Sequence, residues 1–279
     1  MTPLKTVLVI LVVFAATGRN RMTESEFQFT TDYARSNCKY QPKEHPNDIY
    51  MMIALPVNVG SPLFNPFMLR QLDFKPAIDE ALEEVDNRTL LPVHQLKLNY
   101  NDTKLSVATS PMIVLCQVMR GRLDVILGYA NVYALASVAR ISPFLNGQGV
   151  PVLTTIGLVD SLSHKDAEYK LLTRVVGTYK PLGGFVGELL KYNNWQQKYA
   201  FLFHILVNPE TGKTEPTECF FQMTAIRENV TTDQHRRIIW DYIRIKQHPG
   251  IPNNPLYIKR QVAAISTLAN GSWLCVSVH

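Results

Sequence analysis

The sequence predicts an α/β protein built on a doubly wound parallel sheet, and three observations carry that prediction. From residue 49 onward, apolar runs of strand length alternate with segments whose apolar residues recur at i, i+3, i+4 and i+7. The resulting series of strand, helix, strand, helix, strand, helix, strand is what crossover units between parallel strands produce. Of the 279 residues, 46% are hydrophobic, enough to build one large or two ordinary domains around packed cores.

The elements follow in order. Ile49 to Leu55 reads as a buried first strand closed by Pro56, followed by a loop rich in Pro and Asn over 57–65. Pro76 is expected to open a helix at the favoured first-turn position, with Ile78, Ala81, Leu82 and Val85 as its apolar stripe. Asp79, Glu80, Glu83 and Glu84 lie off that stripe and read as a solvated face rather than a metal or catalytic cluster. Gln95 to Tyr100 alternates as a second strand. Ser110-Pro111 then starts a helix with Met112, Leu115, Cys116 and Met119 on one face, which makes Cys116 a buried, inert thiol.

In "DVILGYANVYALASVARI", residues 124–141, an apolar strand turns at Gly128 into a helix. Corners of this kind lie at the carboxyl ends of strands, where open α/β sheets bind ligands, and Asn131 suits the cap of the helix. Residues 151–155, "PVLTT", form a further strand, 156–169 are polar and irregular, and Leu171 to Val176 is extended again. A helix beginning near Gly183-Gly184 presents Leu182, Phe185, Val186 and Leu189 on one face. The remaining expectations are a strand at 199–207, an exposed loop at 208–217, helices at 218–228 and 257–268, and strands at 237–243 and 273–278. The final strand has no covering helix behind it, which predicts an incomplete second unit.

Lys5, the apolar run Val7 to Phe14 and the small residues Ala15-Ala16-Thr17-Gly18 have the form of a signal peptide cleaved near residues 16–18. The run is shorter than the roughly 20 residues that span a bilayer, and no later run approaches that length, so no membrane anchor is expected in this chain. Four Asn-x-Ser/Thr acceptors, at Asn87, Asn101, Asn229 and Asn270, point to a glycosylated extracellular surface. Cys38, Cys116, Cys219 and Cys275 would then be in oxidising surroundings, though four cysteines are too few to replace a core.

The formal charge of +5 is spread along the chain without a Lys/Arg block, and a nucleic-acid partner does not fit secretion. Seven histidines show no H-x-x-x-H pairing, and there is no C-x-x-C, no G-x-S-x-G elbow and no dinucleotide or P-loop glycine spacing. A binding module without cofactor or metal is therefore favoured over the enzymatic alternative, a secreted α/β hydrolase.

Several stretches resemble the extracellular region of natriuretic peptide receptors and receptor guanylyl cyclases. They are "KPAIDEAL" (75–82), "LLPVHQLKLNYNDT" (90–103), the 124–141 motif, "PVLTT" (151–155), "HKDAEYKLLTRVVGTYKPLGGFVGELLKYNNWQ" (164–196) and "ECFF" (218–221). The resemblance implies a type I periplasmic-binding-protein-like fold of two doubly wound lobes, with a peptide hormone bound by receptor dimers. On that basis residues 1–18 are the signal peptide, 19–48 an extended lead-in, 49–157 the first lobe and 158–279 part of the second. The alternative among binding proteins is a two-lobed receptor domain of the amino-acid-sensing type.

The resemblance also assigns residues. Tyr133, Arg140, Glu168 and Phe221 match hormone-facing positions, the aromatics as rigid contact area and the charged pair as partners for polar groups on the hormone. Their plain structural readings are a packed Tyr133, an Arg140 at the helix C-terminus, a surface Glu168 and a core Phe221. His164 reads as loop structure. Cys219 matches the first cysteine of the second lobe and is expected to pair with Cys275, an assignment that a Cys38–Cys116 or mixed pairing is expected to sink; the partner of Cys38 stays open. The family's first-lobe bridge positions hold Leu105 and Asn131 here. An acidic family position is Val107, which implies an altered ligand preference.

Overall fold

The computed structural model describes Cys38, Lys43 and residues 45–60, 65–92 and 95–194. Further on it describes residues 218–229, 259, 260 and 263, and the backbone alone of 200–207, 214–216, 230–231, 242–247 and 272–275. The signal-peptide segment, most of the lead-in and Asn270 lie outside the described residues.

Five parallel strands form the first sheet: β1 (Ile49–Leu55), β2 (Leu96–Asp102), β3 (Val125–Gly128), β4 (Val152–Thr154) and β5 (Leu172–Arg174), in the order β2-β1-β3-β4-β5. Helices α1 (Gln71–Asn87), α2 (Thr109–Arg120) and α3 (Val132–Ile141) make the first three crossovers. The chain winds from β1 toward β2 and then returns to place β3 on the other side, so the winding reverses between β1 and β3. Ligands bind open α/β sheets beyond the strand ends at such a reversal. The core beneath it packs Met52, Ala54, Ile126, Leu135, Val138, Val152 and Leu172.

A second sheet centres on β6 (Ala200–Val207). Strands β8 (Tyr242–Gln247) and β9 (Ser272–Cys275) pair with it in parallel, and β7 (Thr214–Pro216) pairs antiparallel. Helix α4 (Lys180–Tyr192) packs on α5 (Glu218–Thr231), and α5 packs on β6. A Cβ built on Gly183 would stand 2.3 Å from the Ala225 carbonyl oxygen, so only glycine permits this approach of the two helices.

Several sequence expectations are corrected. Helix α1 begins at Gln71, and Pro76 lies inside it, because the Gln71 amide is engaged by the Pro56 carbonyl and its side chain by the Leu55 carbonyl. Those bonds nucleate a turn before the proline, whose missing N–H then costs one bond. Helix α4 buries Gly183, Val186, Gly187 and Leu190, whereas Phe185 is 66% and Leu182 38% exposed. Gly183 lets the two backbones approach closely, and Val186 and Leu190 are buried beside it. Strand β5 pairs with β4, so the first sheet runs past the expected 157/158 boundary to Arg174. Residues 214–216 are a strand rather than loop, and β8 extends to Gln247.

Cys116 is buried but not a free thiol: it forms a disulfide with Cys38. The helical pattern correctly puts Cys116 inward, but it holds no information on the lead-in that reaches it. That lead-in is anchored a second time by Lys43, whose ammonium lies 2.9 Å from Asp124 Oδ2 and 2.9 Å from the Asp48 carbonyl. Asp124 Oδ2 also accepts from the Tyr50 amide at 2.8 Å, so the start of β3 ties strap and sheet together. Because Cys38 and Cys116 pair with each other, their bond leaves Cys219 and Cys275 available to one another, and the supposed conflict between the two pairings disappears.

Asn101 is not an open glycan acceptor. Its side chain is 7% exposed, its amide donates to the Asn99 carbonyl, and its Oδ1 accepts from Gln117 at 3.0 Å. The alternation of β2 turns it inward against α2. Asn229 is also engaged: its amide nitrogen donates to Ala225 and faces Gly183 across the α4–α5 contact. Asn87, at the end of α1, is exposed.

Candidate functional site

The corner between β3 and α3 is set by its backbone. Gly128 has φ +151°, and a Cβ there would lie 2.2 Å from the Ala54 carbonyl on β1. Two residues after Tyr129, Asn131 caps α3 by accepting from the amides of Tyr133 at 2.9 Å and Ala134 at 3.1 Å. The cap satisfies first-turn donors and aims the helix out of the corner. Leu105, at the other expected bridge position, packs over Gly60.

Tyr133 and Arg140 are seven residues apart on α3, which places them on one face about 10 Å apart along the axis. Each meets one of the other two expected residues. The Tyr133 and Phe221 rings are 6.1 Å apart between centroids and tilted by 53°, and Phe220 meets Phe221 edge-on at 5.8 Å. Arg140 Nε donates to Glu168 Oε2 at 2.7 Å, with its guanidinium carbon 5.2 Å from the centre of the Tyr169 ring. Residues 133, 140, 168 and 221 are thereby gathered from α3, the loop before β5, and α5.

The electrostatics follow from the geometry. The hydrogen bond from Arg140 holds the Glu168 carboxyl below the usual carboxylate range, and the same bond raises Arg140. A depressed carboxyl contributes its stability above the ordinary carboxylate range and loses it as pH falls through the depressed value. Both side chains are about half exposed, so the pair positions more than it stabilises.

Arg174 is a positioning residue that sequence reasoning missed. Its guanidinium donates to the carbonyls of Gly157 at 2.8 Å and Val159 at 2.9 Å and to Ser163 Oγ at 2.7 Å. It thus organises the irregular loop that carries Glu168. The one signal in the sequence was a charged residue closing the short strand Leu172–Arg174. His164 serves that loop through its carbonyl, which accepts from the Glu168 amide at 3.1 Å. Val107, before α2, is 44% exposed.

Residues 74–203 match the family described as the receptor family ligand binding region. Over that stretch the chain is similar to receptor ligand-binding regions. The chain is 28% identical over 225 residues to the receptor-type guanylate cyclase gcy-28 of Caenorhabditis elegans, covering 71% of this chain and 17% of that protein. It is 30% identical over 190 residues to atrial natriuretic peptide receptor 3 of Bos taurus, covering 66% of this chain and 32% of that receptor. The human receptor of that name matches at 30% over 159 residues, 54% of this chain and 28% of the receptor. The chain therefore spans less than a third of the length of each of these relatives.

Among solved structures, an ABC transporter substrate-binding protein from Desulfitobacterium hafniense superposes with a TM-score of 0.55 at 13% identity. The match covers 81% of this chain and 57% of the other, and the shared property is the fold. The fold is type I periplasmic-binding-protein-like, as the resemblance implied. On α3, which follows β3, Tyr133 meets Phe221 of α5 and Arg140 meets Glu168 of the loop before β5. Cys219, two residues before Phe221, is disulfide-bonded.

Proposed function

We propose that this chain is an extracellular, glycosylated, non-catalytic ligand-binding module that takes a peptide hormone on the α3 face, in a receptor assembly that includes a second copy or another receptor chain. One observation carries the reading: four residues from distant parts of the sequence meet there as an aromatic pair and an ion pair. The names of the relatives, natriuretic peptide receptors among them, supply the ligand class. A peptide carboxylate or backbone carbonyl would take Arg140 from Glu168, a basic side chain would take Glu168, and an apolar side chain would seat on Tyr133 and Phe221. Isothermal calorimetry with atrial natriuretic peptide tests this. Arg140→Ala and Phe221→Ala are each expected to weaken binding at least about tenfold. A failure of the peptide to bind overturns the ligand class, and unchanged affinity in both variants overturns the site.

Residues 1–18 serve as the signal peptide in this reading. The Cys38–Cys116 disulfide supports an oxidising compartment, and no described helix is long and apolar enough to cross a membrane. Cys219 pairs with Cys275, the cysteine that remains once Cys38 and Cys116 are joined, and its position on β9 next to β6 supports that pairing. Among the acceptors with described side chains, exposure favours Asn87 as the glycosylated one. Glycopeptide mapping of protein secreted from mammalian cells should find occupied Asn87 and unmodified Asn101. Occupancy at Asn101 in folded protein would contradict the burial of that side chain.

A further inference from the structure

Tyr179 stands where the chain leaves the first sheet for α4. Its backbone amide donates to the Leu158 carbonyl at 2.8 Å, which ties it to the segment after β4. Its hydroxyl donates to Oε1 of Glu218, the first residue of α5, and the Gln222 amide reaches the same hydroxyl at 3.5 Å. At 8% exposure, Tyr179 makes these bonds largely out of water. Three residues beyond Glu218, on the same turn, Phe221 meets Tyr133 of α3. The first turn of α5 is thus held to elements of the first sheet by one polar and one aromatic contact.

We infer that Glu218 is a positioning residue whose hydrogen bond with Tyr179 acts as a protonation-dependent latch, setting where α5 presents Phe221 to Tyr133. The latch belongs to the free chain and does not depend on the peptide-hormone reading. Glu218 is half-buried, and among the described residues no cation faces it. Among the described residues the groups that face it are the Tyr179 hydroxyl, at the start of α4, and Gln222 on its own helix. Burial accordingly pushes its carboxyl above the usual range, while the Tyr179 bond pulls it partly back. Burial, and then the neighbouring Glu218, push Tyr179 far above the usual phenol range, so its hydroxyl stays a donor at every physiological pH.

The sign follows from this. A carboxyl raised in the fold contributes fully below its ordinary range and loses that contribution as pH rises through the raised value. Mild acid therefore favours the docked first turn of α5 by removing the cost of burying a charge, a gain that outweighs the weaker bond from Tyr179 to a neutral carboxyl. The Arg140–Glu168 pair has the opposite dependence and a lower window, so it persists while α5 docks more firmly. The two charged devices on the α3 face respond to acid separately.

Amide hydrogen exchange of residues 219–222, compared at about pH 5 and about pH 7.5 and corrected for intrinsic rates, tests the latch. In the wild-type chain, protection is expected to rise on acidification. Glu218→Gln, neutral at both pH values, should give high protection that no longer depends on pH. Tyr179→Phe should lower protection at both pH values, and more at about pH 7.5, where the lost bond is to a carboxylate. Three results would each overturn the latch: flat wild-type protection, wild-type pH dependence in Glu218→Gln, or full protection in Tyr179→Phe. No ligand enters the measurement, so its outcome is independent of whether a peptide binds.

Discussion

Replacing Cys38 and Cys116 together by alanine is expected to cost about 2–4 kcal/mol of stability, the usual range for a native disulfide. The bridge spans a sequence separation of 78 residues, for which loop closure alone predicts about 4.5 kcal/mol. The cost falls on the whole first sheet, because Cys116 is 1% exposed on α2 and the loop encloses β1, α1 and β2. Lys43 keeps a hold on Asp124 and the Asp48 carbonyl in the variant, so the strap loosens instead of detaching. Urea unfolding of the double variant beside the wild type reads the difference. Matching midpoints would mean that this bridge contributes nothing to the fold.

Gly128→Ala is expected to be costlier than a positive φ alone explains. At φ +151° an L-residue is strained, and its Cβ would meet the Ala54 carbonyl at 2.2 Å, a contact that β1 can relieve only by moving away from β3. A loss of about 3 kcal/mol or more follows, from strain combined with disruption of the core strand pair. Gly147 provides the internal control: it has φ +72° and nothing within 4 Å of a built Cβ, so Gly147→Ala carries only the conformational penalty of about 1–2 kcal/mol. Denaturant titration of the two variants separates the contributions. Equal losses would mean that the β1–β3 contact does not limit the corner.

The corner was the most legible part of this molecule. Asp124 to Gly128 and the spacing of Val132, Leu135, Ala136 and Ala139 define a strand and a helix on their own, and the Asn131 cap is a local event between neighbours in the chain. Tyr133 and Arg140 share a face by helical periodicity alone. Their partners were not legible in that way. The contacts with Phe221 and Glu168 join segments separated by 88 and 28 residues, 221 minus 133 and 168 minus 140, and no local pattern encodes them. Arg174 was missed because its three acceptors lie on a loop whose path is set by that side chain.

The same division runs through the whole chain. Periodicity, turn residues and apolar content are properties of short windows, and they were enough to establish parallel α/β winding and the succession of the first strands and helices along the chain. Partner choice depends on which surfaces meet once the elements pack, and each departure from expectation has that character. Gly183 of α4 lies against Ala225 of α5, Cys116 finds Cys38 across the strap, Asn101 turns inward onto Gln117, and β5 joins the first sheet. These are contacts between elements, whose energies arise from burial and close approach, and a one-dimensional pattern does not contain the distances that determine them.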